Sequence, residues 1–310
     1  MIIIQYKKLE RSLLMKALRI VISQTSANYR KEETVENKMT YPLPPFSTVI
    51  GAIHAACGYT DYHPMDISIQ GKYDSMSKRA YTHYSFGNYL EEDHGYLARV
   101  KNNEMLTTAS VKVATPTAKQ KYNFYTGDGV HILDKVAIEE YRELKHSEME
   151  GKDVKKQLNK FKNVTKSLKY YEILNGVTLI IHVRADEVIL KDILDHVYDI
   201  KSIGRSEDMV NIKNAEIVEL SNQIDDEIES NYAAYLDYDL VKNGVIFPHL
   251  HGLYMNGTRY YLNKDYKIEK QKRIFNKKKV VYMSRYVIES CTKNLLVDEY
   301  NGTQLIVNFL

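Results

Sequence analysis

The stretch that decides the fold of this chain is VTLIIHVRADEVILKDILDHVYDI, residues 177–200. Its first seven residues place Val177, Leu179 and Ile181 on one face, and this alternation with the intervening residues is typical of a β-strand. From Glu187–Asp199 the apolar residues instead recur every three to four positions, which is the pattern of an amphipathic helix. The stretch therefore predicts a strand that is followed directly by a helix.

A similar strand and helix are found near the start of the chain. Ala17–Ser23 alternates as a strand does, and Val49–Cys57 has the pattern of a helix, with Gly58 as its left-handed stop. Further strands are predicted at residues 78–86 and 215–220. Apart from a long insertion, the order is β-α-β-β-α-β, which is the ferredoxin-like arrangement. The predicted fold class is therefore α+β.

The domain boundaries follow from this order. Residues 15–220 are predicted to form the ferredoxin-like domain, with an insertion at about residues 88–166. Residues 221–310 contain further strand patterns and are predicted to be a smaller β-rich C-terminal part. Residues 1–14 precede the first strand as an extension, and we expect Met15 to be an alternative start.

Composition and charge narrow the class of protein. A 44% hydrophobic and 27% charged chain of 310 residues is neither intrinsically disordered nor collagen-like. No apolar run approaches the ~20 residues needed to cross a bilayer, so we expect a cytoplasmic protein without a membrane partner. Cys57 and Cys291 lie far apart in the sequence, which fits a reducing compartment and argues against a cysteine-based zinc site.

The distribution of charge says more than its sum. The formal net charge is only +3, but lysines cluster within residues 152–169 and again within 264–279. An acidic stretch that begins at Asp225 separates the two clusters. The asymmetry indicates either a face that binds a polyanion or ordinary solvated surface, and the sequence leaves both interpretations open.

Three segments together resemble one protein family. They are the strand Lys16–Gln24, the proline-rich approach Thr40–Thr48 with its small-residue helix Val49–Gly58, and the motif Gly204–Asp208 ahead of the last ferredoxin-like strand. In combination they resemble the fifth Cas family of CRISPR-associated proteins. This family is a RAMP-superfamily subunit of type I surveillance (Cascade) complexes, and the chain is similar to its type I-B form. The resemblance follows the element order over residues 15–300.

The resemblance implies both a fold and a role. The fold would be RRM-like, with the insertion forming a long β-hairpin called the thumb. The role would be that of a non-catalytic subunit in antiviral defence that grips the 5′ handle of the CRISPR RNA. Its partners would be the large subunit and the backbone RAMP subunits of Cascade, with target DNA as a further partner. No cofactor is implied.

RNA modules of this kind use the open face of their sheet, where aromatic residues stack on bases and basic residues hold phosphates. Alternation places several polar and basic side chains on the predicted open face of three strands. They are Arg19 and Ser23 in the first strand, Arg79, Tyr81 and His83 in the second, and Thr178 and His182 in the third. On the residues alone these are ordinary solvent-facing positions, and it is the resemblance that favours RNA contact.

Two turns in the chain supply further candidate residues for RNA contact. Ser47 and Thr48 are predicted to cap the helix after the prolines, and free backbone N–H groups at a helix start can seat a phosphate. Gly204 is predicted to stop a helix, and Arg205 next to Ser206 can either clamp a phosphate or pair internally with Glu207 or Asp208. Both alternatives stay open for Arg205.

The insertion is expected to contain a strand at Ser110–Ala114 and one or two exposed helices within residues 131–169. It also contains a run of basic and aromatic residues that suits single-stranded RNA. The candidates for RNA contact in the insertion are Lys112, Lys119, Lys121, Tyr122 and Phe124. Packing of these aromatic residues onto the main domain is the alternative.

Two other functions compete with RNA binding alone. The first is a metal-independent endoribonuclease that processes CRISPR repeats, as type I-C relatives do, for which Tyr59, Tyr81, His83 and Lys112 supply suitable residue types. The second is a protein adaptor without RNA contact. No metal site is predicted, because the histidine and carboxylate groupings around His63 and His249 lack a consistent ligand set.

Overall fold

A computed structural model describes residues 15–34, 37–88, 96–100, 111–116, 130–132, 135–222, 227–270, 272–288 and 295–310. The chain divides into two compact units, one formed by residues up to Arg79 together with Tyr171–Leu310 and the other by Ala80–Tyr170. The C-terminal residues 221–310 belong to the first unit. The expected extension, residues 1–14, lies outside the described part of the chain.

Strands outnumber helices in the described part of the chain. The strands and helices of the N-terminal half are β1 (Met15–Ala27), β2 (Tyr29–Arg30), β3 (Thr40–Tyr41), α1 (Phe46–Cys57), β4 (Asp66–Lys72), β5 (Ser75–Asn88), β6 (Tyr96–Val100), β7 (Val111–Pro116), β8 (Val130–Ile132), α2 (Lys135–Met149) and α3 (Lys155–Leu158). Those that follow are β9 (Phe161–Arg184), α4 (Glu187–His196) with a 3-10 turn (Val197–Asp199), β10 (Asn211–Leu220), β11 (Ile228–Ser230), β12 (Ala233–Asp237), α5 (Tyr238–Lys242), β13 (His249–Leu250), β14 (Leu253–Tyr254), β15 (Thr258–Glu269), β16 (Lys272–Met283), β17 (Tyr286–Ile288), β18 (Leu296–Tyr300) and β19 (Thr303–Val307).

One sheet organises the first unit. Its strands lie in the order β10-β1-β9-β4-β12-β16-β15, and every neighbouring pair is antiparallel. The register pairs Ile20 with Ile181, and Ile181 with Ile69, across the three central strands. Strands β12, β16 and β15 belong to the predicted C-terminal part, so that part continues the sheet of the N-terminal half. The protein is a mixed α/β structure in which strands predominate.

The helices α1 and α4 cover one face of this sheet. Helix α1 buries Phe46, Val49, Ile50 and Ile53, which recur at the spacing of one helix face. They pack in the main hydrophobic core with sheet residues that include Ile20, Ile67, Ile69, Leu179 and Ile181, and with Leu190 and Ile193 of α4. Gly58 ends α1 with φ 68°, as the sequence predicted. The apolar stripes of the two helices therefore determine which face of the sheet they cover.

The sequence assigned the second strand of the predicted domain to the wrong residues. We expected it at residues 78–86, but the strand that pairs with β9 in the first unit is β4. Residues 78–86 belong to β5, which continues from the first unit into the second. Strand β4 was not predicted, and both its apolar residues Ile67 and Ile69 and the polar residues that alternate with them, Ser68 and Gln70, are buried.

The second unit contains the predicted strand and helices. Strand β7 lies at the expected position and pairs with β6 and β8, and α2 and α3 lie within residues 131–169. Tyr141 of α2 is buried and packs edge-on against Phe161, with ring centroids 5.1 Å apart. Among the described residues, no helix is long and apolar enough to span a membrane.

Gly71 tests how tightly β4 lies against its neighbours. A Cβ at this position would lie 2.6 Å from the carbonyl oxygen of Thr178 and 2.9 Å from Leu179 Cδ2. Because a backbone carbonyl cannot move aside cheaply, we expect Gly71→Ala to lower the free energy of unfolding by about 1–3 kcal/mol. Urea unfolding followed by circular dichroism measures this change.

Gly51 in helix α1 is the matched control. A Cβ there meets no atom within 4 Å. Alanine also has the higher helix propensity, so Gly51→Ala is expected to leave the protein equally stable or to stabilise it by about 0.5–1 kcal/mol. Equal effects of the two substitutions would contradict the tight packing of β4 against β9.

Candidate nucleic-acid interface

The hairpin of β15 and β16 carries aromatic, aliphatic and cationic side chains on one face. Tyr266 is paired with Phe275, and Ile268 with Arg273, so all four side chains fall on the same side of the two strands. The Tyr266 and Phe275 rings lie 5.6 Å apart, and the Arg273 guanidinium stands 4.6 Å from the centroid of the Tyr266 ring. All four residues are exposed, which is unusual for apolar side chains unless they meet a partner.

This face lines one wall of a groove of about 670 Å³, and helix α1 lines the other. The α1 wall consists of the side opposite the buried stripe, with Ser47, Thr48, Gly51 and His54. The groove falls within the size range of about 300–1,000 Å³ that is usual for ligand sites. The hydroxyl residues predicted as a phosphate seat therefore lie opposite the hairpin that contains the second lysine cluster.

The start of α1 differs from the prediction. The helix begins at Phe46, its N-cap is Pro45, and no side chain caps it. Ser47 and Thr48 thus lie within the first turn and do not act as caps. Proline suits this position because its φ of −60° is fixed and it has no N–H to satisfy. The hydroxyl groups of Ser47 and Thr48 are thereby left on the wall of the groove.

The floor of the groove is a group of aromatic rings. The imidazole of His54 lies 5.3 Å from the Tyr59 ring and 5.7 Å from the Tyr62 ring. Burial lowers the pKa of His54, so this imidazole is neutral near neutral pH. These rings offer an aromatic surface on which a base can stack, and the carboxylates of Asp61 and Asp265 also line the groove.

Charge at the groove comes from a few residues. Lys264 is buried and is paired with Asp66, which also accepts hydrogen bonds from Arg184. Burial would raise the pKa of Asp66, but the hydrogen bonds from Lys264 and Arg184 outweigh it and hold that pKa below its usual value. Lys264 is therefore committed to an internal ion pair, whereas Arg273 is exposed. The exposed lysines of the hairpin outside the groove include Lys267, Lys270 and Lys272.

The arrangement suits a single-stranded nucleic acid. Tyr266, Phe275 and the floor rings offer flat faces to bases, and Arg273 with the hairpin lysines offers cations to phosphates. Sequence reasoning found the basic cluster, with Arg273 in it, and the two hydroxyl residues, but missed Tyr266 and Phe275. The strand pattern did not reveal that α1 lies opposite the hairpin.

The expected open face at Arg19 and His182 is wrong. Both side chains are buried, at 5% and 0% exposure, beneath the hairpin of β18 and β19. Asp298 of β18 accepts a hydrogen bond from Arg19 at 2.6 Å and lies 2.9 Å from His182 Nε2. The two basic residues are on the side of the sheet away from the helices, as expected, but the C-terminal hairpin covers that side and supplies their counter-charge.

Ser23 and Thr178 lie further along the same strands. They are cross-strand partners in β1 and β9, and both are half-buried. The structure therefore brings together four of the predicted residues on this face, but two of the four are enclosed.

The motif Gly204–Asp208 forms a network of hydrogen bonds around a buried carboxylate. Asp208 is fully buried and accepts hydrogen bonds from the backbone N–H groups of Asn28 and Arg205 and from the Arg205 guanidinium. Gly204 has φ 110°, and a Cβ there would lie 2.8 Å from the Asp208 carboxylate. Of the two alternatives for Arg205, the structure has internal pairing, and Asp208 raises the pKa of this guanidinium. The adjacent Ser206 is exposed.

The remaining predicted residues fall in different places. Arg79 is exposed in the first unit; Tyr81 and His83 belong to the second, with ring centroids 6.3 Å apart. Lys112 lies in β7, whereas Lys119, Lys121, Tyr122 and Phe124 lie outside the described residues. Tyr59 donates its hydroxyl hydrogen to Asp192, and burial raises its pKa far above the usual range. Its hydroxyl therefore keeps its proton near neutral pH.

Comparisons with known proteins give distant likenesses only. No family model and no curated protein matches the sequence. A chain of a "CRISPR RNA-guided surveillance complex" is similar over 88% of this chain and 91% of its own, with 10% identity and a TM-score of 0.42. A CRISPR protein from Archaeoglobus fulgidus is similar over 95% of this chain and 100% of its own, with 14% identity and a TM-score of 0.38. A chain of a Type III-B Cmr-beta complex bound to cognate target RNA is similar over 87% of this chain and 86% of its own, with 9% identity and a TM-score of 0.32. Likenesses this weak carry no functional assignment.

The enclosed His182 predicts a pH dependence. Burial lowers its pKa and outweighs the opposing effect of Asp298, so the folded protein keeps this imidazole neutral while the unfolded chain protonates it near its ordinary value of 6.5. Stability is therefore lost as the pH falls through that value. From pH 7.5 to 5.5 we expect this residue to account for a loss of about 1 kcal/mol in the free energy of unfolding.

The measurement is urea unfolding of the wild type and of His182→Gln at several pH values. His54 changes stability in the same direction, so the difference between the two proteins isolates His182. The control is His146→Gln, whose side chain is 76% exposed and should leave the pH profile unchanged. Parallel profiles for the wild type and His182→Gln would refute this assignment.

Arg205 is predicted to be structural. Arg205→Ala leaves the buried Asp208 carboxylate with fewer donors, which should lower the free energy of unfolding by about 1–3 kcal/mol. Arg205→Lys should recover only part of this loss, because an ammonium cannot reproduce the planar fork of donors. Arg30→Ala, at an exposed arginine of β2, is the matched control for urea unfolding. If Arg205→Ala is as stable as Arg30→Ala, the hydrogen-bond network around Asp208 does not depend on the pairing of Arg205 with Asp208.

Proposed function

We propose that this protein is a non-catalytic RNA-binding subunit of a type I CRISPR surveillance complex, where it holds the 5′ handle of the CRISPR RNA. The observation that carries the proposal is the groove between α1 and the β15–β16 hairpin. Aromatic faces, hydroxyl groups and an exposed arginine converge there, which is the combination that single-stranded RNA requires.

The topology is consistent with this role. Along the sheet, β10, β1, β9 and β4 stand in the order that the fourth, first, third and second strands take in a ferredoxin-like domain. Helices α1 and α4 pack on one face of those strands. We interpret this part of the first unit as an RRM-like domain of the RAMP type.

The three segments that resemble the fifth Cas family meet in space. Gln24 of β1 donates to the carbonyl groups of Ile203 and Asp208, and Asn28 donates to the Asp208 carboxylate. The proline-rich approach is linked to them through Tyr29, whose backbone N–H donates to the Thr40 hydroxyl and whose own hydroxyl donates to Gln24. Segments about 180 residues apart therefore satisfy one another's buried polar groups.

The RNA would contact the groove in a definite way. One or two unstacked bases would lie against Tyr266, Phe275 and the aromatic floor. Arg273 and the exposed hairpin lysines would neutralise the phosphates on either side. The partner subunits, the thumb contacts of Lys119, Lys121, Tyr122 and Phe124, and the cytoplasmic location remain part of this proposal.

Tyr266→Ala and Arg273→Ala test the groove directly. Loss of one stacking ring should weaken binding of a CRISPR RNA by about 1–3 kcal/mol, which is roughly 5- to 150-fold in Kd. Loss of Arg273 should weaken binding and also reduce the slope of log K against log salt by about 0.7. Fluorescence anisotropy with a labelled RNA that carries the 5′ handle measures both quantities.

Arg285→Ala is the matched control, because it removes an exposed arginine of the first unit that is paired with Glu229 away from the groove. It should leave both the Kd and the salt slope unchanged. A scrambled RNA of equal length tests recognition of the handle, and co-purification with the large and backbone subunits tests membership of the complex. RNA affinity that is equal in all three variants would reject the groove as the binding site.

A further inference from the structure

Helices α1 and α4 bring together a cysteine, an aspartate and a histidine beside the C-terminal end of α1. The ligand atoms of Cys57, Asp192 and His196 all lie within 4.8 Å of one another. Cys57 is the last residue of α1, and the other two occupy positions i and i+4 of α4. Residues four apart in a helix share one face, so the aspartate and histidine are directed to the same spot.

The distances within this cluster suit a tetrahedral ion. Asp192 Oδ1 lies 3.4 Å from His196 Nδ1. Two ligand atoms that are each about 2.0–2.2 Å from a tetrahedral zinc ion lie roughly 3.4 Å apart. The carboxylate oxygen and the imidazole nitrogen are therefore close enough to share one ion once the ring has turned away from the Asp192 carbonyl oxygen that Nδ1 now contacts.

A neighbouring tyrosine orients the carboxylate. Tyr59 donates its hydroxyl hydrogen to Asp192 Oδ2, which leaves Oδ1 directed toward His196. Hydrogen bonds of this kind from outside the ligand set fix the orientation of the carboxylates that bind metals. Gly58, in the left-handed conformation at φ 68°, turns the chain between Cys57 and Tyr59 so that both side chains reach the same cluster.

We propose that Cys57, Asp192 and His196 bind one divalent transition-metal ion of the zinc class, with water as the fourth ligand. A thiolate with an imidazole favours zinc over magnesium or calcium, which prefer oxygen ligands only. The side chains of Asp192 and His196 are 40% and 43% exposed, so a fourth position is open to solvent. The ion would clamp the end of α1 to α4.

Binding requires local changes that the cluster permits. The His196 imidazole now contacts the carbonyl oxygen of Asp192 at 2.9 Å and has to turn away from it to present a free nitrogen. Since the ring is half-exposed, this rotation is sterically open. The thiol has to lose its proton, so loading with zinc releases protons to the buffer. Tyr59 belongs both to the groove lining and to this cluster, but the proposal does not rest on the RNA role.

The full-length protein, stripped with a chelator and reduced, allows a direct test. Zinc titrated in competition with a chromophoric chelator should bind at one ion per chain. Cobalt in its place should give tetrahedral d–d bands and a near-ultraviolet thiolate-to-cobalt charge-transfer band. Cys57→Ser should abolish the charge-transfer band, and both Cys57→Ser and His196→Gln should weaken zinc binding at least tenfold.

The chain offers a matched control in its other cysteine. Cys291→Ser, at a position outside the described residues, should bind zinc and cobalt as the wild type does. Binding that is unaffected by Cys57→Ser and His196→Gln, or the absence of stoichiometric binding by the wild type, would overturn the proposal.

A labelling experiment on the wild type covers the case in which a variant fails to fold. Zinc should slow the reaction of Cys57 with an alkylating reagent, followed by mass spectrometry of its peptide, while the reaction of Cys291 proceeds at its metal-free rate. Equal rates for Cys57 with and without zinc would count against the site as firmly as the titration.

Discussion

The first unit depends on one buried carboxylate, that of Asp298. The two central strands of the sheet place Arg19 and His182 on the face away from the helices, where either side chain would be costly to enclose without a partner. Strand β18 supplies the carboxylate that both side chains contact. His182 Nδ1 has no hydrogen-bond partner in the described part of the chain, which favours the neutral imidazole with its proton on Nε2. The network therefore consists of the Arg19 cation, the Asp298 carboxylate, the neutral His182 ring and, at its exposed edge, the Glu216 carboxylate that also pairs with Arg19.

This constraint fixes which surfaces are available. Helices α1 and α4 cover one face of this sheet, and the C-terminal hairpin closes part of the other face. Ser221 exchanges backbone hydrogen bonds with Val297, so the hairpin is held at the end of β10 as well as by Asp298. The aromatic and basic residues available to a ligand are instead those on the β15–β16 hairpin, at the far end of the same sheet. The candidate interface thus lies against α1.

Helix α1 connects the groove with the proposed metal cluster. Its buried stripe fixes its rotation about its own axis, so Ser47, Thr48, Gly51 and His54 face the groove while Phe46 and Ile53 face the core. Its last residue, Cys57, reaches α4. A stabilising clamp at the C-terminal end of α1 would therefore also hold the groove wall in place, because a helix transmits its position along its whole length.

The sequence by itself determined the local structure. Alternation located β1 and the C-terminal half of β9, helical periodicity located α1 and α4, and Gly58 marked the end of α1, because these features depend on neighbours along the chain.

Tertiary structure alone decided which residues are enclosed and which residues contact one another. Arg19 and His182 look like solvent-facing strand residues until Asp298, more than 100 positions away, covers them. The sequence left open whether Arg205 binds a phosphate or pairs internally, and in the structure its guanidinium is paired with the buried Asp208 carboxylate. Tyr266, Arg273 and Phe275 gain their place opposite α1 only through the order of strands in the sheet, and Cys57 meets Asp192 and His196 only because two helices pack side by side. The physical reason is that burial depends on contacts between distant segments, which no local pattern records; even for Arg205, whose partner is three residues away, it is the contact with Asn28 that helps to enclose Asp208.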